Sequence, residues 1–569
     1  MKKNMLLMAL LCYTTMSYAF TVDNITYTIF DGNKVRVTGL NSSLVDVVIP
    51  SEVTYNNQTY SVKEIGYKGL SSKPKMETLV ISEGIESIRE SGVNANLKLK
   101  SVSLPSTLLE IGKYAFSSCE VLTDVVFPNG SNLQTIGEYA FNNCKKLKHF
   151  EIPSSVTSIK SYAFYHCDEM ESITIPENVT VIEEYTFAYC ISLGTLILHD
   201  NITHINKSAF SGCEKLFNIN NTLPESLVFI GESAFSGVPG FRHLVLSGNL
   251  ISINSSTFSR CENLEYVWFQ EGITSIGQAA FLSCVKLKYI VLPSTLKTVA
   301  QSAFGGFSNS NHIARTFIFL ADEPCQTKFH WSQDYWGNNY PDQNTWSFGK
   351  VAEGDRFYVK ESAIDKYNWS VASKNIFYQI PFNADLDYST DYREFDMDFQ
   401  RAAESGNKPF VATEYGTSHV VFTSIDSNIV PAETAIVIRK QNDENTWFQI
   451  AEQQGAQLDM SNYLKGLTYS DEISPVTNDG QVNYILYNGK FCRFNKTGFL
   501  GDHKAYLQLP ESSAGTNCSM IFDDNQTDGI TDISEEGQNG ERYYNLNGVP
   551  VEKPEKGIYI TKGKKIIVK

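Results

Sequence analysis

At 569 residues the chain is too long for one ordinary core, and roughly two or three domains are expected. Its net charge of −16 is spread along the sequence with no basic face, which disfavours nucleic acid and anionic membrane surfaces as partners. The eleven cysteines include no close Cys-x-x-Cys or Cys/His pairs of the kind a zinc or iron–sulfur site needs, so neither a metal nor a cofactor is expected.

The N-terminus carries Lys2 and Lys3, an apolar run from Met5 to Cys12, and then Ser17-Tyr18-Ala19. Basic residues, a short apolar stretch and small residues at the end describe a secretory signal over residues 1–19, with cleavage expected after Ala19. Leu11, before Cys12, is not the small residue of a lipid-attachment site. The run is too short to span a bilayer, and no later stretch holds about 18 uninterrupted apolar residues. No transmembrane anchor is expected, and the predicted destination is the cell surface or the extracellular medium.

From Leu70 and Val93 through Phe116, Phe141, Phe164, Phe187, Phe210, Phe235, Phe258 and Phe281 to Phe304, a landmark returns every 23 residues and slips twice to 25. Around it runs a phrase that Ile159, Ala163, Phe164, Cys167, Met170, Ile173, Ile175 and Pro176 state well. A period this short means one supersecondary unit stacked on copies of itself, a solenoid. The Ile-x-Ile-Pro piece is the strand, ended by a proline that cannot donate to the ladder. The Ala-Phe pair lies on the return. Its Phe fills the space between layers, a burial worth about 1.5–3 kcal/mol per ring, and its Ala lets neighbouring backbone pass close by. Seven cysteines (Cys119, Cys144, Cys167, Cys190, Cys213, Cys261 and Cys284) fall three residues after the landmark, and Val238 and Phe307 replace Cys at equivalent positions. That pattern suits an inward ladder of buried free thiols and would ruin a ligand set.

The phrase Ile-x-x-x-Ala-Phe-x-x-Cys-x-x-Leu-x-x-Ile-x-Ile-Pro resembles the BspA-type leucine-rich repeat, common in surface proteins of Bacteroidetes and of some mucosal protists. The resemblance covers about residues 40–320. It implies a leucine-rich-repeat solenoid with a parallel β-sheet face and short return segments. It further implies an adhesin that binds host matrix or plasma proteins or another microbe's surface, and it supplies no catalytic residues.

Strand parity assigns the outward positions: if Phe150 and Ile152 point in, His149 and Glu151 point out. The central outward column is Val126, Glu151, Thr174, Ile197, Val245, Trp268 and Val291, and its neighbour is Asp124, His149, Ser172, Thr195, His243, Tyr266 and Tyr289. Tyr266, Trp268, Tyr289, His243, Val245 and Val291 are therefore the candidate ligand-binding residues, as aromatic anchors clustered on a rigid face. Cover by a flanking loop or the downstream domain is the alternative.

The period dissolves from about Thr316. Residues 321–381, with Trp331, Trp336, Trp346 and Trp369, are expected to cap the solenoid, which would otherwise expose the apolar face of its last repeat. A glycan-binding platform built by residues 325–370 is the alternative function. The stretch Phe357-Tyr358-Val359 to Ala363-Ile364-Asp365-Lys366-Tyr367 resembles an element that closes such solenoids in Bacteroidetes proteins. Residues 382–512 read as a β-sandwich-like, all-β domain, with strands at His419–Ile425, Thr434–Lys440, Val482–Tyr487, Lys490–Phe494 and Ala505–Leu509 and a hairpin signal at Asn488-Gly489. Residues 513–542 read as a linker, and Asp524-x-Gln526-x-Asp528-Gly529 is a poor calcium loop because of Gln526. The tail, 543–569, reads as a small β-hairpin module and resembles the type IX secretion sorting tail of exported Bacteroidetes proteins, though shorter. The disulfide state of Cys325, Cys492 and Cys518 stays open. No nucleophile elbow, zinc motif or phosphate loop is present. The carboxylates Asp385, Asp387, Asp391, Glu394, Asp396 and Asp398 could pair for glycoside hydrolysis but read as a solvated link, so the chain is not expected to be an enzyme.

Overall fold

The computed structural model describes residues 18–219, 223–306 and 313–328 without a break, and the remainder to residue 568 as elements separated by short stretches. The expected signal up to residue 17 lies outside the described residues, as does the Asp524–Gly529 loop. The chain forms two compact units, the first running through Phe357 and including Lys366–Asn375, the second holding Tyr358–Asp365 and the chain from Ile376 onward.

The first unit is a solenoid built almost wholly from short parallel strands. Ser172–Thr174 pairs with Thr195–Ile197 in 23-residue register, Ser172 opposite Thr195. A second ladder runs along another side, with Val181–Ile182 beside His204–Ile205. The returns are laddered too. Phe116 N–H donates to Ala140 O at 2.8 Å, Phe141 to Ala163 at 2.8 Å and Phe187 to Ala209 at 2.9 Å. The repeated alanine sits where the preceding turn's landmark backbone arrives, and its small side chain suits that close passage. Landmark rings stack in one column, Phe141 on Phe164 at 5.5 Å and Phe164 on Phe187 at 5.4 Å, both 4° from parallel. Every landmark is fully buried.

Each return needs two left-handed residues, one two positions before the landmark and one two after. Around Phe164 these are Tyr162 at φ 60° and His166 at φ 57°. Non-glycine residues adopt this conformation uncommonly, and here the inter-turn hydrogen bonds hold it from repeat to repeat.

Two details at the ends govern where the stack stops. At the N-terminal end Ala19–Val22, Ile25–Asp31 and Lys34–Leu40 form an antiparallel meander, and Lys34–Leu40 joins Gln58–Ile65 in parallel to start the ladder. Phe20, Tyr27 and Tyr60 fill this cap, Phe20 lying 5.7 Å from Tyr27 and 5.2 Å from Tyr60. At the other end the period does not dissolve at Thr316 as the sequence suggests. Phe304 N–H donates to Ser347 O at 2.9 Å, and Phe348 stacks on Phe304 at 5.7 Å and 7°. Ser347-Phe348 thus occupies the next Ala-Phe slot, reached through a long insertion that hides the spacing. Arg315, wholly buried, then closes the column. It donates to Phe304 O at 3.0 Å, Phe348 O at 2.8 Å and Lys350 O at 3.0 Å, and pairs with the buried Asp355 at 2.8 Å.

The second unit is all-β. Its main sheet includes Lys408–Tyr415, His419–Ser424, Ile436–Arg439, Gln481–Tyr487, Lys490–Arg493 and Lys504–Pro510, around a core with Phe410, Phe422, Tyr484 and Phe491. Tyr487 faces Lys490 across the expected hairpin. One strand falls inside the stretch read as linker: Asn517–Phe522 pairs in parallel with His419–Phe422, its apolar Met520 packing on the core. Cys518 lies opposite Phe491 and Cys492 opposite Asn517 on adjoining strands. In the tail, Gly557–Thr561 and Lys564–Val568 form the antiparallel hairpin that the sequence announces.

Candidate binding surface

The main sheet of the solenoid is not continuous. Asp46–Ile49, Thr78–Ile81, Ser101–Ser103 and Asp124–Val126 form one block, the strands centred on Ser172–Thr174 and Thr195–Ile197 a second, and His243–Leu246, Tyr266–Phe269, Tyr289–Leu292 and Thr316–Phe319 a third. The two breaks fall at the two 25-residue repeats.

Parity is as the sequence implies in all three blocks: Val125, Ile173, Leu196, Leu244, Val267 and Ile290 are inward and buried. Exposure of the outward positions is not uniform. In the first two blocks the central column carries Val48, Val80, Val126 and Ile197 at 59%, 40%, 56% and 52% exposure, with Ser103, Glu151 and Thr174 between them also exposed. In the third block the candidate residues are largely covered. His243, Tyr266 and Val291 are 4%, 2% and 0% exposed, and Val245, Trp268 and Tyr289 are half-buried. The expectation that these six present themselves together to solvent is therefore corrected. The outward row Val245, Trp268, Val291, Ile318 is apolar throughout, a composition that favours cover over exposure. Ile318 is as buried as Val291, and the Tyr266 ring stacks on Tyr289 at 5.5 Å. Alternation tells which face a residue takes and is silent on what lies over that face.

Flanking the sheet, carboxylates and cations from successive turns pair across the repeat. Lys100 lies 2.7 Å from Glu77 and Lys145 3.2 Å from Glu120, both exposed and each worth little. Glu265 is more enclosed and binds both Lys288 at 3.0 Å and Arg242 at 3.1 Å. Burial pushes its carboxyl up, but the hydrogen bonds from Lys288 and Arg242 outweigh this and hold it below the ordinary carboxylate range.

The thiol ladder is as the sequence predicts, buried and unbridged from Cys119 to Cys284. One feature lay beyond sequence reasoning: each thiol donates to the carbonyl of the preceding repeat's landmark, Cys167 to Phe141 O at 3.3 Å and Cys190 to Phe164 O at 3.2 Å. Burial pushes Cys119, Cys190 and Cys284 up to about 12, which leaves no thiolate for chemistry. Among the described residues no group of three His, Cys, Asp or Glu side chains could hold a metal.

The tryptophan platform loses a member. Trp346 is fully buried and packs 5.1 Å from Phe348 and 5.7 Å from Trp369 as part of the closing core. Trp336 and the side chain of Trp331 lie outside the described residues. In the acidic stretch Asp391 pairs with Arg393 at 2.8 Å, Asp396 accepts from Ala432 N–H and Asp398 from Gln400 N–H and Gln449. These carboxylates brace the second unit, while Asp385, Asp387 and Glu394 lie outside the described residues.

The model of the BspA type leucine rich repeat region matches residues 63–194 and 180–311 with six copies. The solenoid is a BspA-type leucine-rich repeat region. No curated protein matches the chain. Among solved structures, the chain is similar to a leucine-rich repeat protein from Bacteroides ovatus (25% identity, 53% of this chain and 88% of that one, TM-score 0.41). It is also similar to a leucine rich cell surface protein from Faecalibacterium prausnitzii (24% identity, 53% and 94%, TM-score 0.31). The pneumococcal vaccine antigen PcpA matches at 17% identity over 63% of this chain and 96% of its own, with a TM-score of 0.36. No helix among the described residues is long and apolar enough to cross a membrane.

Proposed function

We propose that this protein is exported to the cell surface, where its BspA-type solenoid acts as an adhesin by binding an extracellular protein along the sheet. The observation that carries this reading is the row of exposed apolar side chains Val48, Val80 and Val126, in register on one hydrogen-bonded block, with Ile197 at the equivalent position of the next block. Exposed apolar residues aligned on a rigid face lower the entropy cost of docking and exclude water from the polar contacts between them. Among the described residues, the buried thiols and the carboxylates that pair across the repeat suit a rigid binding scaffold. The C-terminal hairpin would serve export as a sorting signal. The glycan alternative rests on fewer groups once Trp346 belongs to the core.

The test is binding of the full chain to a panel of host matrix proteins, plasma proteins and glycans, with Val126→Asp/Ile197→Asp beside it. A saturable protein ligand lost in the double variant supports the reading and its surface. A protein ligand retained in that variant but lost in Trp268→Ala returns the site to the third block. Glycan binding alone would replace the reading with the alternative.

A further inference from the structure

The first 25-residue repeat leaves an opening in the sheet. At intact junctions each strand's leading N–H bonds the strand before it: Lys100 to Glu77 O at 2.8 Å, Thr123 to Lys100 O at 2.9 Å, Gly194 to Glu171 O at 2.9 Å. Among the described residues Lys148 makes no corresponding bond to Thr123, and no ladder joins Asp124–Val126 to residues 149–151. The strand Asp124–Val126 uses Asp124 N–H (to Lys100 O, 3.2 Å) and Val126 O (from Leu104 N–H, 3.0 Å) toward the preceding strand. Because successive residues of a parallel strand aim their backbone groups to opposite sides, the N–H and C=O of Val125 face the opening. The strand runs into Phe127-Pro128-Asn129-Gly130-Ser131, a turn two residues longer than usual, and pairing resumes only at Thr135–Ile136, which lies beside Glu110–Ile111. The result is a cleft of about 430 Å³ lined by Asp124, Val126, Pro128, His149, Glu151 and Pro153, among others.

Two exposed carboxylates, Asp124 and Glu151, stand at this cleft. Neither joins an ion pair among the described residues, whereas the nearby Glu120, Glu169 and Glu171 each pair with a lysine. Asp124 accepts only the Thr123 hydroxyl at 2.6 Å among the described side chains. Val126 adds an exposed apolar wall. Open backbone groups beside two outward carboxylates and the outward Val126 complement an extended segment whose basic side chains share that outward face.

We infer that this cleft takes an extended basic segment of the protein ligand, its backbone pairing with the open edge at Val125 and a lysine or arginine held by Asp124 and Glu151. The inference rests on the proposed binding role and names the chemistry of its partner.

The probe is a fluorescein-labelled Val-Arg-Val-Arg-Val peptide titrated against the full chain by fluorescence anisotropy, with Val-Glu-Val-Glu-Val as control. Saturable binding of the basic peptide is expected, weakened about tenfold in Asp124→Asn/Glu151→Gln and further by added salt. Deleting Asn129 and Gly130 restores the 23-residue spacing and is expected to abolish binding while thermal unfolding is retained. The exposed pair Asp124→Asn/Glu151→Gln keeps the test sound should the deletion misfold. No saturable binding of the basic peptide, or equal affinity in the double variant, overturns the inference. A panel protein that binds wild type and the double variant equally overturns the cleft and leaves the wider binding role standing. Peptide binding with no panel ligand supports the cleft and counts against that role.

Discussion

Asp355→Ala is expected to unravel one end of the solenoid and leave the other intact. Both partners of the Arg315–Asp355 pair are fully buried at 2.8 Å. Asp355 also accepts Arg315 N–H at 2.9 Å and Ala352 N–H at 3.1 Å. Removing it strands a buried guanidinium, which typically costs about 3–5 kcal/mol. Arg315 is the group that satisfies the carbonyls of Phe304 and Phe348, so the cost falls on the last turns of the stack. Because solenoid repeats contact only their neighbours, the loss stays local. The assay is native-state hydrogen exchange. A loss of about 4 kcal/mol lowers protection near a thousandfold for amides around Phe281, Phe304 and Phe348. Amides around Phe116 and Phe141 are expected to be unchanged. A uniform fall along the chain, or a change under about tenfold at the closing turns, would refute the idea that this pair ends the stack.

Other consequences follow from the same geometry. Phe164→Ala removes a ring held between Phe141 and Phe187 and is expected to cost about 3–5 kcal/mol, read as a lowered urea midpoint. The buried thiols from Cys119 to Cys284, pushed up by desolvation, are expected to ignore a maleimide in the native protein and to react on unfolding; rapid native labelling would contradict their burial. Glu265 has a folded-state pKa below its unfolded value of about 4.3. Its contribution is therefore complete above that value and is lost as pH falls through it toward the folded pKa. Glu265→Gln should flatten the acid limb of a stability–pH curve, and an unchanged limb would refute the pairing with Lys288 and Arg242.

Much of the solenoid was legible because its physics repeats. The Ala-Phe-x-x-Cys phrase fixes the ring column, the close backbone passage and the thiol ladder together, and one period suffices to read all three. The left-handed residues were hidden because Tyr162 and His166 carry none of the glycine signal that marks such positions. Ser347-Phe348 was hidden by the insertion before it and by its departures from the phrase, with Gln343, Ser347 and Val351 where Ile, Ala and Cys recur. The two 25-residue slips were visible as spacing, but nothing in the spacing said that the sheet would part there. For the binding surface, parity gave each outward residue correctly and misjudged which would meet solvent. His243, Tyr266 and Val291 alternate as exposed residues should, yet they are buried, because alternation fixes a face and carries no information on what packs over it.

The most direct test of the sheet-face account is hydrogen exchange with mass spectrometry on the full chain, alone and saturated with a captured protein ligand. The account predicts new protection at Asp46–Ile49, Thr78–Ile81, Ser101–Ser103, Asp124–Val126 and Thr195–Ile197. Protection confined to Tyr266–Phe269 and Tyr289–Leu292, or to the second unit, would contradict it.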